Sequence, residues 1–199
     1  MRLRTVCIPA LLLLLAGAVS AAPPVNRGSL SLQTGIWKPN ALDSEPGKPF
    51  KPVEGTGLCW GVGLSTPQAA SYALEVNLWQ WEQEVLRSGI EPARSRLLNL
   101  AFDIKYQLLG ATAIRPFVLY GGTALYGREE PALPPPGIGT KLEFVGYALN
   151  FGAGIDFILH RHLGLSAGYQ YLYVDLRKEI SAASRLSGPK VTFKLLYLF

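Results

Sequence analysis

The stretch 191–199, VTFKLLYLF, sets the tightest limit on how this chain can fold. Val191, Phe193, Leu195, Tyr197 and Phe199 occupy every second position, and all are large and apolar or aromatic. A strand sends alternate side chains to opposite faces, so these five share one face. That face must be covered, either by a second protein layer or by lipid. The same alternation recurs along the chain, which turns a local pattern into an architecture.

The first residues do not belong to it. Arg2 and Arg4 precede an apolar run at 8–15 that contains five consecutive leucines, and Val19, Ser20 and Ala21 form a small-residue cleavage site. This reads as a secretory signal peptide, because the apolar run is too short to span a bilayer. The expected division is a signal peptide at 1–21, a short periplasmic segment at 22–27 and a barrel at 28–199. Cys7 precedes the apolar run, so Cys59 is the only cysteine expected in the mature chain, and no internal disulfide can form. Cys59 reads as a small buried residue. Without Arg2 and Arg4 the basic count falls from 19 to 17 against 14 acids, a net charge of 17 − 14 = +3. No basic cluster is interleaved with aromatics, so nucleic acid is not an expected partner. No later stretch offers ~18 consecutive apolar residues, so no membrane helix is expected.

Eight strands are expected, at 28–37, 57–65, 71–81, 96–108, 116–126, 144–159, 163–173 and 191–199. The clearest is 96–108, where Leu98, Leu100, Phe102, Ile104, Tyr106 and Leu108 alternate with Asn99, Ala101, Asp103, Lys105 and Gln107. In 116–126 both faces carry apolar residues and glycine, and the facing is open. The connections are 38–56, 66–70, 82–94, 109–115, 127–143, 160–162 and 175–188. They alternate long and short. Stretch 127–143 holds four prolines, and His160 to His162 make a tight polar turn. Long outer loops and short periplasmic turns are the rhythm of a membrane barrel, with both termini in the periplasm.

A soluble eight-stranded barrel would also alternate, with its apolar face inward. Here the face opposite the apolar one is small: Gly61, Gly63, Ala73, Ala101, Ala148, Gly152, Gly154, Gly164 and Gly168. Small residues suit a crowded interior better than a solvated strand surface. The apolar face is therefore assigned to lipid, and Tyr169, Tyr171 and Tyr173 to an aromatic girdle. The interior should then hold Glu75, Asp103, Lys105, Asp156, Lys190 and Lys194, with Asn77, Asn99, Gln107 and Gln170. Buried charges must pair, because an unpaired one is costly. Eight strands leave an interior that side chains can fill. The expectation is a plugged all-β barrel, eight-stranded, antiparallel and up-and-down, whose interior polar groups are structural. A proton or ion path through them is the sharper alternative.

Several stretches resemble the eight-stranded bacterial outer-membrane barrel superfamily, which includes the OmpA membrane domain, OmpW and the opacity-type, porin-like proteins. Residues 115–122, RPFVLYGG, resemble its "RPYVGAG" strand. Residues 151–157, FGAGIDF, and 163–175, LGLSAGYQYLYVD, resemble its "GAGVDY … LSLRAGYRY" hairpin, and KLLYLF resembles its closing strand. The resemblance implies residence in a Gram-negative outer membrane, contact with its lipid and lipopolysaccharide, and insertion by the barrel-assembly machinery. That machinery would read the closing strand through Val191, Phe193, Leu195, Tyr197 and Phe199. It implies no cofactor, and it is specific for architecture and weak for function.

Two classes of function remain. The first is a non-enzymatic structural or surface-interaction barrel whose loops 38–56 and 127–143 meet a surface ligand of unspecified identity. Its variant, an OmpW-like conduit for small apolar solutes, needs an apolar lumen or a lateral gap. The second is a lipid A-modifying acyl hydrolase of the PagL type. Hydrolysis needs a nucleophile within reach of a base. That family carries His-x-Ser-Asn on its penultimate strand, where this chain has Tyr169, Gln170, Tyr171 and Leu172. The only histidines, His160 and His162, fall in an expected periplasmic turn, on the opposite side from lipid A. No catalytic residue is assigned, and no cysteine pair or histidine cluster offers a metal site.

Overall fold

The computed structural model describes residues 27–41, 51–52, 57–67, 71–87, 91–109, 112–131, 142–180 and 183–199. The strands are β1 (Ser29–Trp37), β2 (Asn40–Ala41), β3 (Lys51–Pro52), β4 (Leu58–Ser65), β5 (Tyr72–Arg87), β6 (Glu91–Gln107), β7 (Ile114–Pro131), β8 (Leu142–His160), β9 (Leu163–Ile180) and β10 (Ala183–Leu198). The eight long ones pair antiparallel in chain order. Strand β10 returns to β1, from Ser29 opposite Leu198 to Trp37 opposite Lys190, and closes the barrel. Closure leaves no long sheet edge, which is the condition for strands to cross hydrocarbon. No helix occurs among the described residues. The fold is the eight-stranded up-and-down barrel expected from the alternation.

The pattern of exposure fixes which face is outside. Leu30, Leu32, Trp60, Val62, Leu74, Phe102, Leu149, Phe151, Tyr169 and Phe193 are all exposed, whereas Ser31, Gln33, Glu75, Asn77, Ala101 and Asp103 are buried. The apolar face is therefore the exterior, inverted relative to a soluble barrel. A belt of leucine, phenylalanine and tyrosine around a closed sheet is a surface for lipid. The open facing of 116–126 is resolved: Phe117, Leu119, Thr123 and Leu125 point inward, and Val118, Tyr120 and Tyr126 outward.

Three expected connections are shorter than the sequence indicates. Strand β5 continues to Arg87 and β6 starts at Glu91, inside the expected loop 82–94. Strand β7 runs to Pro131 and β8 starts at Leu142, inside 127–143. Strand β9 runs to Ile180 and β10 starts at Ala183, inside 175–188. The charge that made these segments read as loops decorates strands that continue beyond the apolar belt. Glu82 on β5 bridges Arg94 and Arg96 on β6, the latter at 3.2 Å. Cross-strand pairs of opposite charge support such ribbons. The connection 38–56 is likewise interrupted, by β2 pairing with β10 and β3 with β5. The expected signal peptide and the segment 22–26 lie outside the described residues.

Candidate functional site

Among the described residues the interior is where buried polar side chains converge, and the strand period puts them there. Glu75 and Asn77 lie on β5, Asp103, Lys105 and Gln107 on β6, Asn150 and Asp156 on β8, and Lys190 and Lys194 on β10. Each pair or run is spaced by an even number of residues, so each set shares the inward face. All nine are buried.

Near the end that carries the termini, Lys105 Nζ lies 2.6 Å from Asp156 Oδ2. Gln107 Nε2 donates to the same oxygen at 3.4 Å. The Lys105 ammonium also sits 4.0 Å from the centre of the Phe117 ring. Arg115, buried on β7, is directly opposite Asp156 in the β7–β8 register and donates from Nε to the Thr112 carbonyl at 2.9 Å. Further up, Lys194 bridges the lumen to Glu75 and donates to Asn77 Oδ1 at 3.2 Å. Asn77 Nδ2 donates to Asp103 Oδ2 at 3.3 Å, and Asn150 Nδ2 to Asp103 Oδ1 at 2.6 Å. Gly121 makes room for this carboxylate, since a Cβ there would fall 2.3 Å from Asp103 Oδ1. Lys190 Nζ lies 3.5 Å from the centre of the Trp79 ring, a cation–π contact.

Above this column the lumen turns apolar. Trp37, Trp79, Trp81, Leu97, Leu125, Phe144, Leu172, Val174, Leu176 and Leu186 form one buried cluster. The Trp37 and Trp81 rings meet edge-on with centroids 5.0 Å apart, and Trp81 Nε1 donates to the Trp37 carbonyl at 3.3 Å. Gly57, at φ +98°, accepts from the Trp37 amide at 3.0 Å and donates to the Glu82 carbonyl at 3.2 Å, tying the start of β4 to this layer. Besides the expected small and polar residues, the inward face thus carries a tryptophan-rich layer, with buried Gln83, Ser95 and Glu129 in the rung beyond it. Counting only the small residues of the inward face missed it. Trp37, Trp79 and Trp81 share parity with Gln33, Glu75 and Asn77, and that parity was the available signal.

Two internal cavities lie along the column, of about 10 Å³ beside Asp103, Asn150 and Lys190 and about 40 Å³ beside Lys105, Arg115 and Asp156. Voids of this size hold a water or so, not a passage. Each hydrogen bond to an ionised carboxylate is of the stronger, charge-assisted kind. Asn150→Ala should therefore destabilise the barrel by about 1–3 kcal/mol, because Asp103 loses its shorter bond in a site without bulk water. Urea titration of the barrel refolded in lipid vesicles, followed by tryptophan fluorescence, measures this.

The histidines lie elsewhere. His160 ends β8, and His162 is in the turn before β9, exposed, with Nδ1 2.9 Å from the Leu198 carbonyl and its ring stacked on Tyr197 at 6.0 Å between centroids. Among the described residues no group of three His, Cys, Asp or Glu side chains could hold a metal ion. Cys59 is buried in the tryptophan layer. The outward residues of the closing strand, Val191, Phe193, Leu195, Tyr197 and Phe199, are all exposed on the apolar belt.

No family model matches the chain, and no curated protein matches its sequence. Solved structures do match in fold. Neisserial surface protein A superposes with a TM-score of 0.62 at 11% identity, covering 86% of this chain and 97% of that one. Ail of Yersinia pestis, in complex with the heparin analogue sucrose octasulfate, gives 0.53 at 12% identity over 87% and 99%. A major outer membrane protein of Thermus thermophilus gives 0.53 at 8% identity over 87% and 99%. At these identities the likeness is one of fold. Closed topology, an inverted exterior and these matches agree, and the chain has the fold of the eight-stranded bacterial outer-membrane β-barrels.

Proposed function

We propose that this protein resides in the outer membrane as a plugged, non-enzymatic barrel that acts as a structural or surface-interaction protein through its outer hairpins. The observation that carries this reading is the filled lumen. The ion-paired column and the tryptophan layer are stacked in series, and the cavities beside the described residues of the column measure about 10 and 40 Å³. A filled lumen leaves the strand ends beyond the apolar belt as the part available to partners. On β5 and β6 that part is a ribbon cross-linked by Glu82, Arg94 and Arg96, a rigid mount for the tips. Ail was crystallised with a heparin analogue, so a barrel of this fold can hold a ligand.

The closing strand carries a second part of the reading. Its outward residues Val191, Phe193, Leu195, Tyr197 and Phe199 are the stretch the insertion machinery would read. The polar interior residues Glu75, Asn77, Asp103, Lys105, Asp156 and Lys194 serve folding, not chemistry. The acyl-hydrolase reading lacks its motif, and an apolar conduit would have to pass both layers of the lumen.

The test begins with location. The protein should fractionate with the outer membrane and run faster on gels before boiling than after. Recovery as a soluble periplasmic protein would overturn the reading. Capture experiments in nanodiscs should then compare the intact barrel with a form whose 88–90 and 132–141 segments are replaced by short glycine turns. A partner held by the first and lost by the second supports the surface role. Lipid A shortened only when the gene is expressed would replace it with the enzymatic one.

A further inference from the structure

At the end away from the termini the apolar belt stops abruptly on β4 to β7. Trp60, Gln80, Leu98 and Tyr126 form the last outward rung without charge, and Leu58, Glu82, Arg96 and Arg128 form the first rung that carries it. The β4–β5 ladder ends on this charged rung, with Leu58 opposite Glu82, and β3 takes up the β5 edge at Val85. Where the edge changes partner, an open recess of about 460 Å³ lies against Leu58, Trp60, Glu82, Glu84 and Arg94. That volume falls within the ~300–1,000 Å³ of small-ligand sites.

Its walls have two kinds of chemistry. Leu58 and Trp60 share the outward face of β4, and the Trp60 indole is 61% exposed. Glu82 and Glu84 stand two apart on the outward face of β5, and Arg94 on β6 faces Glu84 in register while it bridges to Glu82. Glu84 and Arg94 are exposed. One wall is thus an indole and an aliphatic side chain, and the other is two carboxylates and a guanidinium. A sugar ring has the matching division, with an apolar face of C–H groups and a circumference of hydroxyls that both donate and accept. An indole covers the first. Carboxylates accept from hydroxyls and guanidinium donates to them, each in a charge-assisted bond. An acyl chain would leave the ions without partners, and a phosphate or sulfate would face two carboxylates against one guanidinium.

We propose that this recess is a carbohydrate subsite that takes a neutral pyranose of a surface glycan, its ring on Trp60 and its hydroxyls on Glu82, Glu84 and Arg94. The assignment rests on the surface-interaction reading above and gives that reading a ligand class. The repulsion built into the carboxylate wall sets the preference for uncharged sugars.

Saturation-transfer NMR with maltose tests this, on the barrel in lauryldimethylamine oxide, a detergent without a sugar head. Transfer to the maltose ring protons is expected, half-saturated on the order of 1–10 mM, as one sugar in an open site binds. Trp60→Leu keeps the belt apolar and should cut the transfer at least about threefold, because the aromatic platform is gone. Phe151→Leu, which removes an equally exposed aromatic from β8, should bind as wild type. Glucose 6-phosphate should not compete on the wild-type barrel. Glu84→Lys leaves one carboxylate against two cations in the recess, and there glucose 6-phosphate should compete. Replacing 88–90 and 132–141 by glycine turns should leave maltose binding intact, because the recess is built on strand residues. Absent transfer, transfer unchanged in Trp60→Leu, or glucose 6-phosphate competing equally before and after Glu84→Lys would overturn the subsite. Every variant is first checked for the heat-dependent gel shift. A folded barrel that gives no transfer defeats this proposal alone, whereas a protein recovered soluble from the periplasm defeats the membrane reading with it.

Discussion

Lys194→Met is expected to cost the folded barrel about 3–5 kcal/mol, as breaking a buried ion pair from one side does. The cause lies in what is left behind. Glu75 is buried on β5, and the ammonium that bridges to it comes from β10, with β1 and β4 between them in the sheet. Removing the lysine leaves a carboxylate in a lumen whose cavities hold a water or so. It also takes a donor from Asn77 Oδ1, which sits in the same chain of bonds as Asp103. The double variant Glu75→Gln/Lys194→Met should recover most of the loss, because no bare charge remains. Urea titration in lipid vesicles gives both values. If the single variant costs under ~1 kcal/mol, the pair is not the clamp across the lumen that its geometry implies. A planar-bilayer recording separates stability from passage. Lys194→Met should leave conductance unchanged, because the layer of Trp37, Trp79 and Trp81 still closes the other half. A new steady current would mean that Lys194 had been blocking a path, and would favour the ion-path reading.

The architecture was legible because alternation is a local property. Each of 28–37, 57–65 and 96–108 shows its two faces in the sequence, and the small inward residues decide which face is outside. The interior carboxylates and lysines followed from parity alone. Their partners did not. Glu75 and Lys194 stand 119 residues apart and meet only when the sheet closes, so the pairing depends on register and curvature that no local pattern encodes. The same limit explains 116–126, where Phe117, Leu119 and Leu125 go inward because the tryptophan layer and the Lys105 ammonium await them. Strand ends were misplaced for another reason. Above the belt the outward face turns charged and the inward face turns polar, with Gln83 and Ser95 buried, so the apolar alternation stops, and 82–94 reads as a loop although its backbone continues as strand.

Phe102→Arg should separate the two faces of a single strand. Phe102 is 55% exposed on β6, opposite Val76 on β5 and Gly122 on β7, within the apolar belt. A charged side chain on a lipid-facing strand costs roughly 2–4 kcal/mol near the midplane, falling toward the interfaces. Its neighbour Ala101 points inward, opposite Asn77 and Thr123, so Ala101→Ser places a hydroxyl between two polar side chains. That change should cost under ~0.5 kcal/mol, because the new donor and acceptor both find partners. Urea titration in vesicles gives the stability difference, and the yield of heat-shifting protein gives the effect on insertion. Phe102→Arg should lower both, and lengthening the lipid acyl chains should deepen the loss by moving more of the strand into hydrocarbon. Equal tolerance of the two substitutions would mean that lipid does not cover this face. A reversed order, with Ala101→Ser the more harmful, would mean that water covers the Phe102 side and that the apolar belt is hidden by protein. The same pair run in detergent supplies the contrast, since a micelle lets an arginine reach water that a bilayer midplane withholds, and the penalty on Phe102→Arg should shrink there.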